Sequence, residues 1–125
     1  MGRPSIPLEA GRFDIDHIYA LAANESAYLV QEGVAEPREI DTAVKLATNW
    51  PSGPCEKADQ IGIDVIVRKL EEMYHRYQDE RYTVAGLLKE YVEKNRLGRR
   101  SGAGFYEVKG REYETIIVKK EDGIG

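Results

Sequence analysis

The chain has 125 residues, of which 32% are charged, and a net charge of −4; that fits one soluble domain with no bulk attraction for nucleic acid or anionic lipid. Its longest uninterrupted apolar run, Ile18 to Ala23, falls far short of the roughly 20 residues that span a bilayer, so a cytoplasmic protein is expected. A single cysteine, Cys55, and two histidines exclude an internal disulfide and make a zinc site a poor fit.

Met1 to Arg12 carry two prolines and two glycines without apolar period and read as an extended arm. Helical periodicity starts at Ile15. Ile18, Tyr19, Ala22, Ala23, Ser26, Leu29, Val30 and Gly33 continue one stripe, with Asp14 or Asp16 as the cap and Gly33 as the stop. His17, Ala20, Leu21, Asn24, Ala27, Tyr28 and Gln31 form a second stripe. Two stripes predict a central helix, or one whose outer face meets another domain or subunit. His17, Leu21, Asn24 and Tyr28 are therefore the candidate interface or substrate-side residues. Asn24 also has a plainer reading, a buried amide bonded to a neighbouring backbone segment. His17 reads as an interface or surface histidine before a general base.

A second helix fits Pro37 to about Ala47, with proline at its first position and Ile40, Ala43, Val44 and Ala47 buried. Asn49 to Pro54 is a turn cluster, and a short helix after Pro54 ends at Gly62. The clearest helix runs from about Ile63 to Tyr77, burying Ile63, Ile66, Val67, Leu70, Met73, Tyr74 and Tyr77. On its charged side, Glu71 and His75 are spaced for a surface pair. Thr83 is expected to cap a last helix with Val84, Leu87, Leu88, Tyr91 and Val92 on one face. Tyr74, Tyr77 and Tyr91 are expected to cover the core with their hydroxyls at its rim. Lys94 to Arg100 reads as a solvated helix end, with a CoA phosphate or an acidic surface as the alternative contact. Leu97 to Gly104 is loop. Glu112 to Lys120 is β-like and leads to a hairpin signal at Asp122-Gly123. Cys55 reads as a small packing residue.

The segments Asn24-Glu25-Ser26, Glu32-Gly33-Val34-Ala35, Glu39-Ile40-Asp41-Thr42-Ala43, Pro51-Ser52-Gly53-Pro54, Asp59-Gln60-Ile61-Gly62-Ile63-Asp64 and Gly98-Arg99-Arg100-Ser101-Gly102-Ala103-Gly104-Phe105-Tyr106 follow one another in a particular order and spacing. This pattern, over about two-thirds of the chain, resembles the C-terminal domain of 3-hydroxyacyl-CoA dehydrogenases. Arg100 and Ser101 stand where that family has lysine and threonine, and Cys55 where it usually has phenylalanine. The resemblance implies an all-α fold of about five helices, similar to the C-terminal domain of 6-phosphogluconate dehydrogenase, with a short β-like tail. It implies an arm over 1–12, the helical domain over 13–110, and the start of a truncated crotonase-type domain over 111–125.

The resemblance further implies a parent enzyme of fatty-acid β-oxidation that passes hydride from 3-hydroxyacyl-CoA to NAD, with NAD-binding and enoyl-CoA hydratase domains elsewhere. This chain resembles the second helical copy of such a multifunctional enzyme, pairing with a sister copy or as a homodimer. Asp16 falls on or near the position of that family's asparagine beside the substrate; it cannot donate the amide hydrogen bond. No catalytic, cofactor or metal residue is therefore assigned to the fragment, which is expected to be inactive alone. Gly102-Ala103-Gly104 lacks the third glycine of a dinucleotide fingerprint and follows a loop, so it reads as a turn.

Overall fold

The computed structural model describes residues 14–107. The arm over 1–12, the β-like stretch over 112–120 and the turn at Asp122-Gly123 lie outside the described residues. Five helices follow in order: α1 (Ile15–Gln31), α2 (Pro37–Thr48), α3 (Pro54–Ile61), α4 (Ile63–Tyr77) and α5 (Gly86–Glu93), with 3₁₀ turns at Glu80–Tyr82 and Arg99–Ser101. The all-α expectation holds for the described residues.

Local chemistry sets most boundaries. The Asp14 carboxylate accepts from Asp16 N–H at 2.9 Å and caps α1. Pro37 and Pro54 open α2 and α3, where a missing N–H costs nothing. Gly62 (φ +116°) separates α3 from α4 in a conformation that L side chains rarely adopt. Thr83 is not a cap. An Asp79 carboxylate oxygen accepts from Arg81 N–H to start the 3₁₀ turn, and α5 begins only at Gly86.

Helix α1 is central: it packs on α3, α4, α5 and, at its edge, α2. Small residues at Ala20, Ala23 and Ala27, all fully buried, let its neighbours approach. Ile63, Ile66 and Leu70 of α4 and Leu88 of α5 fill the centre with no exposure. Each stabilises the fold by about 1.5–3 kcal/mol of transfer free energy before conformational entropy is set against it.

The buried side of α1 lies between the two predicted stripes. The first stripe leaves Ile15, Ile18 and Leu29 exposed, at 56%, 39% and 38%, while most of the second turns inward. The buried face of α2 is likewise turned. Ile40 and Asp41 are buried, Val44 is half-buried, and Ala43 and Ala47 are exposed. On α4, Tyr74 and Tyr77 are largely exposed rather than laid over the core; Tyr91 is half-buried against Phe105. No ion pair joins exposed His75 to Glu71 among the described residues; the His75 carbonyl accepts from the Gln78 side chain.

Candidate functional site

Two buried carboxylates organise one end of the domain. Gly53 has no side chain to cap α3, and Asp41 of α2 does this from outside. Its Oδ1 accepts from Cys55 N–H at 2.7 Å and its Oδ2 from Glu56 N–H at 3.0 Å. Oδ2 also accepts from the Tyr106 hydroxyl at 2.5 Å. The approach requires glycine, since a Cβ at Gly53 would lie 2.5 Å from Asp41 Cα. Glu56 completes the turn by accepting from Gly53 N–H at 2.8 Å and pairing with Lys45 at 3.3 Å.

Asp59, near the other end of α3, holds the following strap. Its Oδ1 accepts from Phe105 N–H at 2.9 Å and its Oδ2 from Tyr106 N–H at 3.1 Å. The strap begins at Gly98. Gly98 N–H donates to the Ala103 carbonyl at 2.8 Å and Ala103 N–H returns to the Gly98 carbonyl at 3.1 Å. Inside that turn the Ser101 hydroxyl accepts from Leu97 N–H at 2.8 Å. The Leu97 carbonyl accepts from Ile63 N–H at 2.9 Å, tying the strap to the start of α4. Phe105 and Tyr106 are thereby buried over α3, with Phe105 edge-on to Tyr91 at 5.5 Å.

These carboxylates sit in a dry, rigid setting and accept bonds from backbone; they are structural acceptors. Burial pushes Asp41 up to about 6, against the Tyr106 and Cys55 hydrogen bonds that favour its charged form, and the nearby Glu56 charge adds to the rise. The Tyr106 hydroxyl is pushed well up, first by burial and then by the Asp41 charge. A raised folded-state value means that Asp41 contributes stability that is complete below its unfolded value and is lost as pH rises through about 6. Desolvation is the largest single influence on the Asp64 carboxyl and raises it, but the Arg100 hydrogen bond and charge, with the Asp64 and Val65 backbone N–H groups, together hold it low, so its contribution is lost only in stronger acid. Denaturant midpoints are therefore expected to fall as pH rises from about 4 to about 6. A profile that climbs across that window contradicts this assignment.

Among the described residues, Gly102-Ala103-Gly104 does not fit a dinucleotide. Gly102-Ala103-Gly104 follows a 3₁₀ turn rather than a strand. Gly104 is pressed on the Asp59 carboxylate, its notional Cβ only 2.8 Å from Cγ, so the surface a pyrophosphate would approach is filled by an acidic group.

The sequence profile for the 3-hydroxyacyl-CoA dehydrogenase C-terminal domain matches residues 13–108. The chain belongs to this family. It is 43% identical over 84 residues to a probable 3-hydroxybutyryl-CoA dehydrogenase of Bacillus subtilis, covering 67% of this chain and 29% of that protein. It is 37% identical over 99 residues to a 3-hydroxybutyryl-CoA dehydrogenase of Clostridioides difficile, covering 79% of this chain and 35% of that protein. The crystal structure of (S)-3-hydroxybutyryl-CoA dehydrogenase from Ralstonia eutropha superposes with a TM-score of 0.73 at 37% identity, over 78% of this chain and 34% of that one. The chain thus spans about a third of the length of these relatives.

Within this 3-hydroxyacyl-CoA dehydrogenase C-terminal domain, the four residues singled out on α1 have distinct places. Asn24 is fully buried: its amide donates to the Thr83 carbonyl at 2.8 Å and accepts from Ala85 N–H at 2.9 Å. The Tyr28 hydroxyl donates to the same Thr83 carbonyl at 2.9 Å, and Gln31 accepts from Leu87 N–H at 2.8 Å. Asn24, Tyr28 and Gln31 thus fasten α1 to the segment entering α5. His17 and Leu21 are half-buried, and His17 lies 3.4 Å from the Asp14 carboxylate. Asp16 stays half-buried in the first turn of α1.

The basic stretch Lys94 to Arg100 is engaged within the chain. Lys94 pairs with Glu90, Arg96 reaches the Gly104 carbonyl and Glu107, and Arg100 pairs with Asp64 at 2.7 Å. Cys55 is fully buried, and burial pushes its thiol up, which leaves it inert as a nucleophile. Asp41 and Asp59 were not singled out from the sequence. The available signal was an aspartate next to Ile40, on the apolar side of an amphipathic helix.

Proposed function

We infer that this chain is the helical domain of an NAD-dependent 3-hydroxyacyl-CoA dehydrogenase, in which it packs on the substrate side while the NAD-binding part performs the oxidation to the 3-ketoacyl-CoA. The match of the family profile across residues 13–108 carries this reading, and the names of the relatives supply the substrate class. A cytoplasmic enzyme of fatty-acid β-oxidation is the setting we propose. The division into an arm over 1–12, a helical domain over 13–110 and the start of a crotonase-type domain over 111–125 belongs to the same proposal, with acyl-CoA, an NAD-binding domain and an enoyl-CoA hydratase domain as partners of the parent.

The chain by itself is expected to be inactive. Asp16 brings a negative charge, where a neutral amide donor would be needed beside a substrate carbonyl. The groups that the fold buries, Asp41, Asp59 and Cys55, are enclosed rather than presented. Assay of the chain with acetoacetyl-CoA and NADH should give no oxidation above background; turnover there contradicts the proposal. A second role is docking to a sister helical domain or to a second copy. The exposed Ile15, Ile18 and Leu29 edge of α1 favours it, with His17 and Leu21 beside it. Light scattering over a range of concentrations distinguishes a dimer from a strict monomer. A purely structural module without substrate contact is the alternative, and the aspartate at position 16 is the observation that favours it.

A further inference from the structure

The Asp41 carboxylate accepts from Cys55 N–H, Glu56 N–H and the Tyr106 hydroxyl. The two amides lie in the first turn of α3, where an N–H has no partner inside the helix, and a backbone N–H cannot accept. Of these three donors, the Tyr106 hydroxyl alone can turn about its C–O bond and accept instead. A proton arriving at Asp41 is therefore best placed on Oδ2, directed at Tyr106 Oη. Oδ2 then becomes a hydroxyl oxygen and a poor acceptor for Glu56 N–H, whereas Oδ1 keeps Cys55 N–H. Gly53 lies against Asp41 Cα and Cβ, so the carboxyl has no room to swing round and serve both amides.

The titratable groups facing Asp41 come from two neighbouring elements. The strap brings Tyr106, and α3 brings Cys55 and Glu56. Burial pushes the Cys55 thiol up, with the Asp41 and Asp59 charges adding to the rise, and α1 presents the Ser26 hydroxyl to it. Lys45, one turn further along α2, pairs with Glu56. We propose that Asp41 and Tyr106 form a proton-operated latch: uptake of one proton from water by Asp41 reverses their hydrogen bond and frees Glu56 N–H, loosening the α2–α3 corner while the rest of the domain stays folded. Burial, which pushes Asp41 up to about 6, places this change in mild acid. The lost bond is offset because a buried charge disappears with it.

Amide exchange in the whole chain, corrected for the intrinsic rate at each pH, separates this latch from general unfolding. On acidification through the Asp41 titration, protection of Glu56 N–H should fall roughly tenfold. Cys55 N–H and the core amides of Ala27 and Leu70 should keep theirs. Glu56→Gln removes the neighbouring titration and should leave the fall in place. Asp41→Asn, a neutral mimic of the protonated latch, should show the low value at every pH. Where that variant does not fold, the Asp41 carboxyl carbon signal of the wild type carries the test, since it must titrate with the same midpoint as Glu56 protection. Glu56 protection that stays constant while Asp41 titrates, or that falls together with Cys55 and Leu70, overturns the proposal. So does an Asp41 carboxyl that does not titrate in mild acid.

Discussion

Replacing Asp59 with alanine is expected to destabilise the domain by about 2–5 kcal/mol. The substitution removes both acceptors of Phe105 N–H and Tyr106 N–H. Each buried donor left without a partner costs about 1–3 kcal/mol, and a charged acceptor raises the figure. Water cannot replace the carboxylate easily, because Gly98 and Gly104 close over it. With a total stability of about 5–15 kcal/mol for a domain of this kind, such a loss brings the protein near its unfolding threshold. Asp59→Asn offers one acceptor oxygen and points an amide N–H at a second N–H, so it should recover only part of the loss. Chemical denaturation of the three proteins measures this. An Asp59→Ala midpoint within error of the wild type contradicts the assignment.

The second large effect is expected at Gly98. Its backbone lies at φ +112°, ψ −153°, a region that essentially only glycine occupies and that costs other residues about 1–3 kcal/mol. A Cβ there would also lie 2.9 Å from Asp59 Cα and 3.0 Å from Asp59 C. Backbone cannot swing away as the tip of a side chain can. Gly98→Ala should therefore cost about 3 kcal/mol or more, by separating the strap from α3. Gly33 is the internal control, since it has φ +74° and nothing within 4 Å of a notional Cβ. Gly33→Ala carries conformational strain alone, about 1–2 kcal/mol. Equal losses at the two positions would show that contact with Asp59 contributes nothing.

Helix placement was legible where local chemistry and hydrophobic period agree. Pro37, Pro54 and Gly62 mark boundaries through backbone properties, and Asp14 caps α1 as its position suggests. The face that each helix buries was harder to read. Counting apolar side chains turned α2 toward Ala43 and Ala47, because a buried aspartate reads as a surface residue until its partners are known. Those partners, Cys55 N–H, Glu56 N–H and the Tyr106 hydroxyl, are 14 to 65 residues away. Helix α1 was divided into two stripes because its alanines carry too little apolar area to fix an angle. The actual buried side runs through Ala20, Ala23, Asn24 and Ala27, midway between the two stripes. Thr83 suits a cap by residue type, yet its carbonyl is the acceptor for Asn24 and Tyr28, and this contact holds the chain extended before α5.

The segments that carried the family resemblance acquire a physical reason in the fold. Asp41, Gly53-Pro54, Asp59, Gly98 and Gly104-Phe105-Tyr106 are far apart in sequence and meet at two carboxylates. Gly53, Gly98 and Gly104 each stand where a side chain would strike Asp41 or Asp59. Ser101, in the threonine position, keeps the hydroxyl that bonds the Leu97 N–H. The resemblance at this end of the domain therefore has a structural reason, since these residues close the fold.

Amide hydrogen exchange at Phe105 and Tyr106, read by NMR alongside amides within α1 and α4, tests this closure most directly. If Asp59 clamps the strap onto the core, both strap amides exchange only when the whole domain unfolds, with the same protection as Leu70 and Ala27. Rapid exchange at Phe105 and Tyr106 beside a protected core would mean that the strap is not fastened by the two aspartates.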